Sequence, residues 1–407
     1  MDTTKLRRRL TMAAVVAVAA ATVSPTANAA STMAAGHHDP APDGGALDKA
    51  AAVAVDVAII AGTFGWTLEA TRRHMQDQEA FGALLDEVQA RFPTTFAGAK
   101  HAETPGGRSW IRFKGEAPAA AQALAAASGL DVGLTGGGAF SAAELTERAV
   151  AVVRLLADAG HRPVSAEVSP DGAIEVAASG PRRPGAVLPP TLSEGVNLRF
   201  VEQPVAGELH GYGGAKVRNT STGSRCTSGF SVEHRVTGET GLTTAAHCDG
   251  MNRYEQPWSA LTEIEFPFRD QHIGGLGEVE WHATVDHNDL AEYYADNSPS
   301  ERREVNSVET GTAVNNIYCL YSHVGGNRTC DSVRSTSVVL FTTGLSWTLI
   351  GMDDYNAQPG DSGGPWSYQT EAVGTVVGWY WAPFGNHDAW SPAWLFDSAL
   401  DVDVLVQ

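Results

Sequence analysis

The stretch Gly360-Asp361-Ser362-Gly363-Gly364-Pro365 constrains this chain more than any other. Three glycines and a proline crowd one serine and one aspartate into a tight turn. Glycine reaches backbone conformations that other residues resist. Such a turn can aim amide N–H groups at one point and present the serine oxygen beside it. Acyl transfer needs that pairing of a nucleophile with donors for a developing oxyanion. The turn is not sufficient by itself, because a serine hydroxyl is a weak nucleophile until a base takes its proton.

A base stands upstream. Thr244-Ala245-Ala246-His247-Cys248 closes an apolar, β-prone run that starts near Gly241. Between His247 and Ser362 lies Asp286-His287-Asn288-Asp289-Leu290-Ala291. Imidazole titrates near neutrality and can accept the serine proton. A carboxylate behind it fixes its tautomer and stabilises the imidazolium. The order His, Asp, Ser is that of the chymotrypsin type, distinct from subtilisin and the α/β-hydrolases.

TAAHC and GDSGGP resemble the two signature segments of the trypsin/chymotrypsin-like serine peptidases. Ser221 through Phe230 resembles the start of the mature streptogrisins and α-lytic-protease-like bacterial enzymes. The resemblance runs from about residue 210 to the C-terminus. It implies an all-β fold of two six-stranded antiparallel β-barrels with the site in the cleft between them. His247 and Asp289 would come from the first barrel and Ser362 from the second. Ser362 would be the nucleophile, His247 the general base and acid, and Asp289 the orienting carboxylate. Asp289 is preferred to Asp286 because Leu290-Ala291 continues the family's Asp-apolar-small pattern. The backbone N–H groups of Gly360 and Ser362 would form the oxyanion hole.

The resemblance also locates a substrate pocket. Its base falls at Asn356, six residues before the nucleophile, and its wall at Val377-Gly378-Trp379. Asn356 is not acidic and Trp379 stands where a glycine usually opens the pocket, so a small or modest apolar P1 residue is expected. Asp361 in this family forms an internal ion pair. The arginine that commonly follows the first cysteine of the later pair is replaced by Leu320. An amino terminus freed near Tyr212, Arg218 and Arg328 are the candidate partners.

Targeting and composition set the compartment. Lys5-Leu6-Arg7-Arg8-Arg9 is a basic n-region, Met12 through Val23 an apolar h-region and Ala27-Asn28-Ala29 a small-x-small cleavage site. Residues 1–29 therefore read as a signal peptide and the protein as secreted. The chain has four cysteines, none among the first 225 residues. An even number in an oxidising compartment suggests bridges. Among three possible connectivities, Cys226–Cys248 and Cys319–Cys330 are the expected ones, and the resemblance supports both. No CxxC pair exists, so zinc binding by the cysteines is not expected; Asp353-Asp354 could hold calcium, but paired surface acids are usually just solvated, and no metal site or cofactor is assigned. A formal charge of -19 argues against nucleic-acid binding.

Residues 30–48, rich in Ala, Gly, Pro and Asp, read as disordered. Residues 49–180 read as a small α+β domain. Apolar positions Phe81, Leu84, Leu85 and Val88 fall at helical spacing within Trp66–Phe92. Ser109 through Phe113 alternates like a strand, and a helix is expected from Ser141 to Leu156 with Glu144 completing a capping box. Val164–Val168 and Ala173–Ala177 read as strands around the turn Pro170-Asp171-Gly172. More weakly, this region resembles the pro-regions of the same bacterial family, which assist folding and then inhibit. A proline-interrupted linker, 181–211, separates it from a protease domain at 212–407.

The sequence thus reads as a secreted serine endopeptidase made as a preproenzyme. Its partners would be protein or peptide substrates and its own pro-region. No membrane association of the mature form is expected, and it would be a monomer. A non-catalytic protease-fold binding protein and an esterase using the same residues are the competing readings.

Overall fold

The computed structural model describes residues 47–161, 163–183, 185–201, 206–208, 215–255, 263–284, 289–295, 302–321, 328–341, 346–382 and 385–407. The expected signal peptide, nearly all of 30–48, Tyr212 and Asp286-His287-Asn288 lie outside the described residues.

The N-terminal half mixes helices and strands. Helix Lys49–Phe64 starts at Asp48, whose carboxylate accepts a bond from Ala51 N at 2.9 Å. Helix Leu68–Arg91 follows, and its expected apolar stripe is buried: Phe81, Leu84, Leu85 and Val88 pack against Ala99, Ile111 and Phe113. The strand Ser109–Lys114 pairs antiparallel with Phe96–Lys100 and parallel with Val132–Gly138. The helix expected from Ser141 spans Ala142–Asp158. Its capping box is complete: Ser141 accepts from Glu144 N, and the Glu144 side chain accepts from Ser141 N. Two bonds on otherwise unpartnered amides fix where this helix begins.

From Lys216 onward the chain is mostly strand. One sheet runs Phe268–Ile273, Glu278–Ala283, Thr240–Thr244, Ser231–His234 and Val402–Val404. A second runs Glu263–Glu265, Arg253–Glu255, Lys216–Arg218 and Arg225–Thr227. The largest contains, in order, Ser346–Met352, Gly385–Pro392, Glu371–Ala382, Pro365–Tyr368, Ile317–Tyr321 and Arg328–Phe341.

The largest sheet does not stop at the C-terminal half. Strand Val164–Val168 pairs antiparallel with Arg328–Phe341, in the register Val338 to Glu167 and Phe341 to Val164. Ile174–Ser179 and Val196–Val201 extend it further. Val57, Ile60 and Met75 of the first two helices lie in one buried cluster with Ile317, Tyr318, Trp366 and Trp390. Burying apolar surface of this kind is the main driving force for such association.

Both expected disulfides are present. Cys226–Cys248 and Cys319–Cys330 each have an S–S distance of 2.03 Å. No single helix among the described residues is long and apolar enough to cross a membrane.

Candidate active site

Ser362 and His247 come from opposite ends of the C-terminal half and meet. Ser362 follows the turn at Gly360, and His247 follows strand Thr240–Thr244. Ser362 Oγ lies 2.9 Å from His247 Nε2. Thr227 holds the serine turn in place: its N–H donates to Ser362 O at 2.7 Å and its hydroxyl donates to Gly360 O at 2.9 Å. Thr227 adjoins Cys226, and His247 adjoins Cys248. The Cys226–Cys248 bridge therefore couples the support of the Ser362 turn to His247.

Two glycines in the turn are sterically required. Gly360 has φ +124° and Gly363 has φ +86°, a region L side chains rarely adopt. A Cβ on Gly363 would stand 2.2 Å from Thr227 O and 2.3 Å from Thr244 Oγ1. The close approach of the two segments depends on that missing side chain.

The carboxylate behind His247 is Glu278, not the expected Asp289. His247 Nδ1 is 2.8 Å from Glu278 Oε1 and 3.0 Å from Oε2, and the His247 backbone N–H also donates to Glu278 Oε1. The histidine side chain is 9% exposed and the glutamate 1%. Glu278 opens a wholly buried strand, Glu278–Ala283, that pairs with Thr240–Thr244 in the register Thr244 to Glu280. That register carries the longer glutamate side chain up to the histidine. Ser391 fixes its backbone: Ser391 Oγ accepts from Glu278 N at 2.8 Å and donates to Glu278 O at 2.9 Å. Asp289 instead accepts a hydrogen bond from Thr284 Oγ1.

The two other carboxylates on this strand and turn have separate partners. Glu280 lies 2.9 Å from His282 Nε2, and burial pushes its carboxyl above the ordinary value. Asp361 Oδ2 accepts from Gln358 N at 2.7 Å. Of the candidate partners for Asp361, Arg218 Nε is 2.9 Å from Glu255, Arg328 is bound to Asp56, and Tyr212 lies outside the described residues.

Of the expected pocket residues, Asn356 and Trp379 are linked through Asp388, the cross-strand partner of Trp379, whereas Val377 turns into the core. Val377 points into a core cluster with Val338, Leu340, Leu349 and Tyr380. Gly378 and Trp379 pair with Glu208 and Gly207, so residues 206–208 lie as an extra antiparallel strand along the expected pocket wall. Trp379 stacks edge-on to Tyr355, ring centroids 6.3 Å apart. Asn356 N donates at 2.8 Å to Asp388 Oδ2, and Ala357 N donates to the same carboxylate. Asp388 is a buried acid absent from the sequence reading, and burial pushes its carboxyl up to about 8.

No protein-family model matches this chain. No curated protein matches it either. Solved structures do. The chain is similar to bacterial chymotrypsin-like serine proteases. A Nocardiopsis protease aligns at 17% identity and TM-score 0.39, over 47% of this chain and 97% of that one. Thermobifida fusca protease A aligns at 20% identity and TM-score 0.37, over 48% and 98%. A Cellulomonas bogoriensis chymotrypsin gives 21% identity and TM-score 0.37, over 48% and 98%.

Proposed function

We propose that this protein is a secreted serine endopeptidase, made as a preproenzyme, that uses Ser362, His247 and Glu278. The hydrogen-bonded run from Ser362 Oγ through both ring nitrogens of His247 to Glu278 carries this reading. His247 Nε2 takes the serine proton as Oγ attacks the scissile carbonyl. Glu278 holds the proton on Nδ1 and stabilises the imidazolium. The N–H groups of Gly360 and Ser362 receive the oxyanion. His247 then protonates the leaving amine, and a water molecule, deprotonated by the same ring, hydrolyses the acyl-enzyme. This assigns Glu278 the role first given to Asp289.

The two-barrel architecture of residues 212–407 and the pro-region role of residues 49–180 belong to the same proposal. Pairing of 164–167 with 338–341 supports a folding aid, since sheets rich in non-local contacts fold slowly. Residues 206–208, in the linker rather than in 49–180, pair with 378–380, which supports blockage of that edge by the uncut linker, because an extended peptide would add a strand there. Asn356 and Trp379 favour a small or modest apolar P1 residue.

Turnover of peptide substrates by the processed, secreted protein tests the reading. Peptide-bond cleavage that Ser362→Ala abolishes is expected. Turnover of esters without any cleavage of peptides would overturn it.

A further inference from the structure

Beyond its first residue, helix Lys49–Phe64 carries one charged side chain, Asp56. It is buried against groups from the distant C-terminal half. Arg303 NH1 lies 2.8 Å from Asp56 Oδ2, and Arg328 reaches Oδ1 with Nε at 2.8 Å and Oδ2 with NH2 at 3.3 Å. Gln369 N donates to Oδ2 at 3.0 Å. The side chains of all three charged residues are 1% exposed. Four N–H donors thus converge on one carboxylate with water excluded.

Every donor comes from the C-terminal half and the acceptor alone comes from the N-terminal half. Among the described residues, Asp56 is the one acid within ion-pair distance of either arginine. Gln369 has φ +56°, a left-handed conformation uncommon for a residue with a side chain. Held strain of this kind clusters at binding sites. Arg303 NH1 also donates to Gln369 O at 3.1 Å, which ties the strained turn to the cation. The helix start is docked on the same element: Leu47 N donates to Arg302 O at 2.6 Å. Burial alone would raise the Asp56 pKa. The Arg328 and Arg303 guanidiniums beside it outweigh that and hold it below the usual carboxylate value.

We propose that Arg303, Arg328 and the Gln369 N–H form a carboxylate-binding site in the C-terminal half. Asp56 is its internal ligand, a latch that keeps the N-terminal half bound after the linker is cut. The latch rests on the reading that the chain is processed between its halves. A buried ion pair broken from one side leaves an uncompensated buried charge, which is strongly destabilising. Loss of the Asp56 carboxylate while the N-terminal half stays docked would leave the two arginine charges buried together. The emptied site then suits a carboxylate or another small anion of similar shape, because an arginine fork matches that geometry.

The test uses the full chain carrying Ser362→Ala, with a site-specific protease sequence placed at residues 209–214. After cutting, retention of the N-terminal fragment is followed by size-exclusion chromatography. Asp56→Ala is expected to raise the fragment's dissociation constant by about a hundredfold or more. Sodium formate should restore retention, and sodium chloride of equal ionic strength should not. Retention of the Asp56→Ala fragment equal to wild type, or formate acting no better than chloride, would overturn the latch. If Asp56→Ala does not fold, Asp56→Asn takes its place in the first comparison. The cut is supplied and the nucleophile is absent, so the outcome is independent of whether Ser362 is catalytic.

Discussion

His247 Nδ1 sits 2.8 Å from Glu278 Oε1, and no residue of the expected Asp-Leu-Ala segment among those described fills that position. Removing the negative charge behind a catalytic histidine drops kcat by about 10⁴ in the best-studied case. Glu278→Gln should therefore lower kcat by about 10³–10⁴-fold with KM little changed. Asp289→Asn should alter kcat far less. The reverse ranking in steady-state kinetics would return the orienting role to Asp289.

Gly363→Ala tests the packing of the Ser362 turn. The new methyl would stand 2.2 Å from Thr227 O at φ +86°. Strain from both the clash and the left-handed backbone should cost about 2–5 kcal/mol. Denaturant unfolding should register that loss, together with loss of activity. An active variant of unchanged stability would show that the turn is looser than described.

The bridge Cys226–Cys248 closes a sequence separation of 22 residues. Chain-entropy arguments give about 3 kcal/mol for a loop of that size. The double variant Cys226→Ala/Cys248→Ala should lose about that stability. It should lose more activity than stability alone accounts for, because Thr227 anchors the serine turn from beside the bridge. The Cys319→Ala/Cys330→Ala pair lies away from these contacts and should affect kcat less.

Asp388 makes stability depend on pH in a defined direction. Its folded carboxyl is pushed up to about 8 by burial, against an unfolded value near 3.9. Between those values the native state holds a proton that the unfolded chain has released. Its contribution is full below about pH 4 and is lost as pH rises through about 8. The slope is at most about 1.4 kcal/mol per pH unit. Asp388→Asn should flatten the fall in Tm across that window. An identical pH profile in the variant would place the titration elsewhere.

A P1-varied peptide set addresses specificity. Small or modest apolar residues should be cleaved with the highest kcat/KM. Preference for Arg or Lys would contradict the reading of Asn356 and Trp379.

What was legible depended on whether local sequence or distant pairing decided the outcome. Ser362 and His247 sit in segments whose backbone needs are written nearby, in the glycines of the turn and the cysteine beside the histidine. The helix at Ala142–Asp158 carries its own start signal in Ser141 and Glu144. Glu278 carries no such signal. Its strand reads Glu-Val-Glu-Trp-His-Ala, which resembles a half-solvated strand, yet all six positions are buried. Only the cross-strand register with Thr240–Thr244 brings it to His247. Asp56 was equally silent, because its arginine partners lie 247 and 272 residues away. A lone acid in an apolar helix was the available hint, since buried charges require partners.

The most direct test is reaction of the processed, secreted protein with a fluorophosphonate, read by intact mass and peptide mapping. One adduct per chain is expected, located on Ser362, absent from Ser362→Ala and strongly reduced in His247→Ala. Labelling that persists in Ser362→Ala, or no adduct on the processed wild-type protein, would contradict it.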